Sequence, residues 1–413
     1  MRFYVETLGC KVNQAESLSL ESVLISRGHI LAEPGRGCDI CIINTCAVTA
    51  ESARKSRQTI RRLKKLEPSA KIAVCGCLSA LEPESAAQLG ADIISGAGDK
   101  SELVNQLEQL AIDYEQLSTV NCQPSTAKTR ALLKIQDGCD NFCAYCVIPY
   151  ARGAPRSLPI ELAVEQAREI QSTGFREIVV TGIEISSYGK DLSGEETLVD
   201  VVRAIGLAAP DARLRLGSID PAAVTEDFCC KLASGINLCD HFHLSLQSGC
   251  DETLRRMGRK YNTDAVAEAI LCLRGHFPDC GITADLITGF PGESDVEFAQ
   301  TLEFIKSAKF SDMHIFPFSP RQQTRAASMS DQVEKKIRRE RARIAAAVAR
   351  EMSLEFKRSQ IGKTLKVLIE RESDGFSTGY AGNYLEVRAE NGGEKNSMHV
   401  VQIQGVEDEL VWG

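Results

Sequence analysis

Over the first hundred or so positions, apolar residues fall into short strand-like runs separated by stretches with helical spacing. The runs are Phe3–Thr7, Asp39–Asn44 and Lys71–Val74, and the helical stretches cover about Gln14–Arg27, Thr49–Leu66 and Pro83–Leu89. This alternation predicts a small parallel α/β domain over residues 1–112. A polar stretch from Asp113 to Arg130, including Gln123-Pro124-Ser125-Thr126, predicts a linker. Strand-helix alternation then resumes, with strands near Leu132–Gln136, Glu177–Thr181, Arg213–Leu216, His241–Ser245, Ile282–Leu286 and Met313–Phe316. Such a series predicts a partial (β/α) barrel, which together with the basic helical stretch Val333–Arg358 occupies residues 129–358. Residues 359–413 change character. Lys363–Glu370, Gly379–Ala389 and Met398–Gly405 alternate or run β-branched and apolar, which predicts a small antiparallel β-barrel.

A chain of 413 residues, 43% hydrophobic and 25% charged, is long enough for two or three domains with their own cores. No apolar run approaches the roughly 20 residues of a membrane helix, so a soluble, cytoplasmic protein without a membrane partner is expected. Sixteen cysteines in a chain of this size read as cluster ligands plus small buried hydrophobes, and imply reducing surroundings. The net charge of −8 excludes a uniformly basic surface, but the local sign differs. Between Glu51 and Lys65 there are seven Lys/Arg and one acid, and between Val333 and Arg358 nine Lys/Arg and four acids. Either run alone reads as a solvated helix face; together they suggest a surface that tracks phosphates. Arg54, Lys55, Arg57, Arg61 and Arg62 are the candidate contacts.

The most specific chemistry lies in Asp137-Gly138-Cys139-Asp140-Asn141-Phe142-Cys143-Ala144-Tyr145-Cys146. Three closely spaced thiolates can hold three irons of a [4Fe-4S] cluster and leave the fourth iron open. Zinc is the alternative, but it prefers four protein ligands and no fourth His or Cys lies close by. A second set emerges from the strand pattern: Cys10, Cys46 and Cys77 each follow a different predicted strand, and in an open α/β sheet those ends share one edge. Cys38, Cys41 and Cys75 compete for that role, but Cys41 and Cys75 lie inside apolar strands and Cys38 precedes its strand. Cys122, Cys229, Cys230, Cys239, Cys250, Cys272 and Cys280 read as core or surface thiols. In the barrel, Thr181-Gly182-Ile183-Glu184, Ser218, Gln247-Ser248-Gly249 and Gly289-Phe290-Pro291-Gly292 follow strand ends, where barrel chemistry collects. His241 and His243 share one face of a strand and read as structural.

The cysteine triplet with Tyr145 resembles the signature of radical S-adenosylmethionine (SAM) enzymes. With Thr7-Leu8-Gly9-Cys10-Lys11-Val12-Asn13-Gln14, Asn44-Thr45-Cys46-Ala47-Val48-Thr49, Gly76-Cys77, Leu246-Gln247-Ser248-Gly249, Gly289-Phe290-Pro291-Gly292-Glu293 and Phe316-Pro317-Phe318-Ser319-Pro320, the whole chain resembles the radical-SAM methylthiotransferases. Within that family, Leu8-Gly9-Cys10-Lys11-Val12-Asn13 and the Arg54-Lys55-Ser56-Arg57-Gln58 run are closest to the branch acting on N(6)-threonylcarbamoyladenosine in tRNA. The resemblance implies two [4Fe-4S] clusters, an auxiliary one on Cys10, Cys46 and Cys77 and a SAM-cleaving one on Cys139, Cys143 and Cys146. It implies two SAM per turnover, tRNA as substrate, a TRAM-like C-terminal module and electrons from a low-potential flavodoxin or ferredoxin. Tyr145, Gly182, Glu184, Ser218 and Gln247 are then candidate SAM contacts. The other readings are methylthiolation of isopentenyladenosine in tRNA or of an aspartate of ribosomal protein S12, and a nucleic-acid-binding protein with purely structural metal sites.

Overall fold

The computed structural model describes residues 1–98, 100–112, 129–373, 375–390 and 392–413; the expected linker up to residue 128, with Cys122, lies outside these. The chain folds as two compact units. The first comprises the N-terminal segment through the helix Ser101–Ile112, together with Asp137–Arg156 and Ser319–Ala327. The second comprises the strand leading to Gln136, Ser157–Phe318 and Ser328–Gly413.

In the first unit, five parallel strands lie in the order Ile30–Leu31, Arg2–Thr7, Ile40–Thr45, Lys71–Gly76, Ile93–Ile94. The middle strand is buried along its whole length because helices cover both faces, which is why its first four residues, Ile40 to Ile43, are all apolar. Ile40 and Ile42 pack with Phe3, Leu20, Leu24 and Leu103, while Cys41 and Ile43 pack on the other side with Ile60 and Leu63. The helix Ala50–Leu66 starts at a capping box between Thr49 and Ser52, and buries Ala53, Ile60 and Leu63 while its charges face out. The first helix, Lys11–Ser26, begins directly after Cys10 rather than at Gln14. A five-residue helix, Cys77–Leu81, precedes Pro83–Gln88.

The second unit holds the partial barrel, built from two four-stranded sheets. Their orders are Arg156–Ser157, Arg130–Asp137, Glu177–Gly182, Arg213–Leu216 and Ser218–Ile219, His241–Gln247, Gly281–Thr288, Asp312–Pro317. Phe242, Leu244, Ile282, Ala284 and Leu286 turn toward the helices and share one core with Leu254, Val266, Ile270, Leu273, Phe298 and Ile305. By strand alternation the intervening positions, His241, His243, Thr283 and Asp285, turn to the inner face, which is polar. The helix Lys335–Ser359 adds Ala345, Val348, Ala349 and Met352 to the same core.

The C-terminal module is a six-stranded sheet in the order Met398–Gln402, Thr364–Ser373, Phe376–Ala381, Glu386–Glu390, Leu410–Trp412, Gly405–Glu407. Its pairs are antiparallel except Glu386–Glu390 with Leu410–Trp412. The expected run Gly379–Ala389 is two strands joined by a turn in which Tyr384 takes a positive φ of 69°. The module packs on the barrel through buried arginines. Arg213 donates to the carbonyls of Lys366 and Tyr380, and Arg215 to those of Ala381 and Gly382. Glu177, fully buried, accepts from both arginines at 2.7 Å.

Burial alone would raise the Glu177 carboxyl, but Arg215, Arg213 and Arg130 outweigh it and hold it at about 2. A carboxyl depressed below its unfolded value, roughly 4.3, stabilises the fold above that value and loses this contribution as pH falls toward 2. We expect thermal melts to show about 3 kcal/mol of stability lost between about pH 5 and pH 2 from this group. Glu177→Gln should flatten that part of the pH dependence, and unchanged curvature in the variant would refute the assignment. Among the described residues, no helix is long and apolar enough to cross a membrane.

Candidate functional site

Each cysteine of the first set sits where its strand ends. Cys10 follows Arg2–Thr7, Cys46 follows Ile40–Thr45, and Cys77 follows Lys71–Gly76. Two glycines bring them together. A Cβ on Gly9 would lie 2.7 Å from the Cβ of Cys46 and 2.9 Å from its Sγ, so only glycine lets the chain at Cys10 close on Cys46. Gly76, with φ of 96°, runs equally close to Thr45, where a Cβ would meet the carbonyl oxygen at 2.4 Å. Ser56 clamps Cys46 from the helix, accepting from its N–H and donating to its carbonyl. Asn13 donates to the carbonyls of Leu8 and Thr45, tying the segments before Cys10 and Cys46 to one side chain. Cys41 and Cys75 are buried within strands, and Cys38 is buried at the opposite end of its strand.

The central triplet lies on the loop after the strand Arg130–Asp137 and belongs to the same compact unit. Cys139 N–H donates to the Gly153 carbonyl, Cys146 N–H donates to the Cys143 carbonyl, and Ile148 N–H points at the Cys146 sulfur at 3.4 Å. The loop is held at two backbone turns, Gly138 with φ of 74° and Phe142 with φ of 45°. A Cβ on Gly138 would lie 2.0 Å from the Ala154 carbonyl oxygen, so the loop folds back on itself only with glycine there. Tyr145 lies half-buried between two of the thiols in sequence.

One side chain joins the two sets. Arg152, buried at the end of the short helix Ile148–Arg152, donates to Glu16 at 2.7 Å, to Asp137 at 2.8 Å and to Asn13 at 2.7 Å. Asp137 opens the central loop and accepts from the Gly138 N–H, while Asn13 stands three residues after Cys10. Lys100 supports Glu16 from its other side at 3.8 Å. An apolar patch of Ala47, Ala53, Cys77, Leu78 and Ala151 completes the contact. Burial pushes the Cys77 thiol up to about 11, and the Arg152 guanidinium opposes that shift. The donors fit iron and sulfide: each set offers three soft sulfur ligands on backbone held by glycine, with no fourth thiol in the loop. Asn13, Ser56 and Arg152 were not singled out from the sequence. Asn13 stood inside a motif, but nothing local marks a salt bridge between residues 136 positions apart.

Gly182, Glu184, Ser218 and Gln247 belong to the second unit. Gly182, Glu184 and Gln247 lie at or just past the C-terminal ends of barrel strands, whereas Ser218 follows Arg213–Leu216 but opens the next short strand, Ser218–Ile219, paired with His243. A Cβ on Gly182 would come within 2.8 Å of Ile185. The Glu184 N–H donates to Gln136 at 2.8 Å, and its Oε1 is buried with no hydrogen-bond partner among the described residues. Burial and the neighbouring Asp220 push the Glu184 carboxyl up. Ser218 is exposed, and Gln247 carries a positive φ of 67°, a strain that persists only where the surroundings enforce it.

The basic runs are less uniform than their composition. Arg54 pairs with Glu51, Arg57 with Glu82 and Arg62 with Glu6, while Lys55 and Arg61 are exposed. In the helix Lys335–Ser359, Arg341 is buried against Glu293 and Asp295, and Arg338 donates to the Phe318 carbonyl. These two cations serve packing, not a phosphate-tracking surface.

Comparison with known proteins agrees with this anatomy. Residues 133–305 match the radical SAM superfamily and residues 2–96 match an uncharacterized family, UPF0004. The chain is 35% identical to threonylcarbamoyladenosine tRNA methylthiotransferase MtaB of Thermotoga maritima, over 98% of this chain and 95% of that one. It is 31% identical to a tRNA-2-methylthio-N(6)-dimethylallyladenosine synthase of Chlorobium luteolum, over 90% and 86%. Among solved structures it resembles the radical SAM methyltransferase TsrM of Kitasatospora setae, with a TM-score of 0.56 at 14% identity, over 78% of this chain and 75% of that one. That last likeness is one of fold.

Proposed function

Because the chain belongs to the radical-SAM methylthiotransferase family, an enzyme family using SAM and [4Fe-4S] clusters, we propose that it methylthiolates carbon 2 of N(6)-threonylcarbamoyladenosine next to the tRNA anticodon, consuming two SAM. The observation that carries this reading is the pairing of two three-cysteine sets in one compact unit, tied by Arg152. A single set would serve SAM cleavage alone; a second set beside it is what sulfur insertion requires.

The adenine C–H at carbon 2 is not acidic and carries no leaving group, so acid–base residues have nothing to act on. When bound, the cluster on Cys139, Cys143 and Cys146 supplies the electron that splits SAM, and the one on Cys10, Cys46 and Cys77 supplies the sulfur. The remaining residues bind and orient. The unpartnered Glu184 oxygen is offered to an amino or hydroxyl group of SAM. Gly182, packed too close to Ile185 and Gln136 for a side chain, and Ser218, Gln247 and Tyr145 are the further contacts in this reading. Of the five candidate contacts, Lys55 and Arg61 have no carboxylate in the ion pairs above and suit phosphate contact best; Arg54, Arg57 and Arg62 reach phosphates by exchanging partners. An anticodon-loop base can be splayed into a pocket more easily than one in a duplex. In this reading residues 1–112 hold the auxiliary site, 129–358 the barrel and basic helix, and 359–413 an RNA-facing module. A low-potential flavodoxin or ferredoxin is the electron donor, and the enzyme works in the cytoplasm.

Mass spectrometry of tRNA nucleosides and of ribosomal protein S12 from a deletion strain tests the substrate. The expected result is loss of the methylthio group from threonylcarbamoyladenosine, with methylthio-isopentenyladenosine and S12 unchanged. Loss confined to either of the latter would overturn the choice.

A further inference from the structure

The inner face of the barrel carries a polar group outside the cysteine sites and the candidate SAM contacts. His243, Asp285 and His314, on three adjacent parallel strands, bring two imidazole nitrogens and a carboxylate oxygen within 4.8 Å of one another. Asp285 lies between the rings, with His243 Nε2 at 3.3 Å and His314 Nδ1 at 3.2 Å. Thr283 holds the other nitrogen of His243 at 2.8 Å and is itself met by His241 at 3.0 Å. His243 is thus engaged at both nitrogens, an arrangement of hydrogen-bonded rings more than of metal ligands. Burial would raise the Asp285 carboxyl, but its bonds to His243 and His314 outweigh this and hold it well below the usual range. It is an anion under ordinary conditions. The reachable member is His314, with its side chain 60% exposed.

Two residues further along the same strand, Phe316 is also exposed, and alternation puts it on the same face roughly 7 Å nearer the strand's C-terminal end. An exposed aromatic ring above a polar cluster suits a base carrying a polar substituent. In adenine, carbon 2 and the carbon bearing N6 flank N1, so a base whose carbon 2 faces the C-terminal rim sends its N6 substituent down the barrel. The geometry points to Phe316 as the surface on which the target adenine stacks, and to His314 and Asp285 as the groups that recognise a carboxylate- and hydroxyl-bearing N6 substituent. This rests on the proposed function and supplies its selectivity. A threonylcarbamoyl group offers a carboxylate to His314 and N–H and O–H donors to Asp285. An isopentenyl group would strip water from these polar groups and return no hydrogen bond.

The test is binding of anticodon stem-loop RNAs with threonylcarbamoyladenosine or plain adenosine at the target base, measured on the full chain with reconstituted clusters. Wild type should favour the modified RNA by roughly ten- to a hundredfold. His314→Ala should erase that preference while melting temperature, iron content and affinity for the plain RNA stay near wild type. Phe316→Ala should weaken both RNAs alike. An undiminished preference in His314→Ala, or no preference in wild type, overturns the inference. Product analysis on the same RNAs reports separately on the proposed function: turnover of the modified RNA with unchanged selectivity in the variant would sink this inference and leave the function standing.

Discussion

Arg152→Ala is expected to cost about 3 kcal/mol in the stability of the cysteine-bearing unit, because it leaves the buried carboxylates of Glu16 and Asp137 with only the longer pairs to Lys100 at 3.8 Å and Arg156 at 3.3 Å. The same loss frees the central loop from Asn13 and so from the Cys10 segment, and methylthio transfer should fall to background. Lysine should rescue only in part, since one ammonium cannot reproduce the planar fork that reaches Glu16, Asp137 and Asn13 together. A double change, Arg152→Met with Glu16→Gln, should be less damaging than Arg152→Ala, because fewer uncompensated charges remain. Denaturant melts of the apo protein read these differences without any cluster present. An Arg152→Ala variant within about 0.5 kcal/mol of wild type would show that the bridge holds nothing.

The second large effect separates the two cysteine sets by product. Alanine at Cys139, Cys143 and Cys146 should abolish both 5′-deoxyadenosine release and methylthiolation. Alanine at Cys10, Cys46 and Cys77 should leave 5′-deoxyadenosine release in place while methylthiolated tRNA disappears. The division follows from the proposed roles: a cluster on the central loop would leave one iron open for SAM cleavage, and the set on Cys10, Cys46 and Cys77 would serve sulfur transfer. Anaerobic turnover with a chemical reductant, analysed for both products, shows it directly. Methylthiolation surviving in the second variant would remove Cys10, Cys46 and Cys77 from the reaction.

Where strand polarity decides position, the site was legible in the residues. Cys10, Cys46 and Cys77 share an edge because parallel strands end at one edge, and the strands were visible as apolar runs bounded by polar residues. The central loop was legible from spacing alone. What escaped is what distance in sequence hides. Arg152 looks like one more basic residue until the fold brings it to Glu16 and Asn13, and the carboxylate partners of Arg54, Arg57 and Arg62 stand partly on other elements. The polar inner face of the barrel was visible in part. His241 and His243 alternate with Phe242 and Leu244, but their link to Asp285 and His314 depends on register between strands about forty residues or more apart. Short elements failed for a different reason: the five residues of Cys77–Leu81 are fewer than two helical turns, too few to show a period.

The most direct test of the account is an iron count after anaerobic reconstitution with iron and sulfide, in wild type and in the two triple-alanine variants. Two independent three-thiolate sites predict about eight irons in wild type and about four in each variant. About four irons in wild type, unchanged when Cys10, Cys46 and Cys77 are removed, would contradict it and leave the protein without the site from which sulfur is transferred.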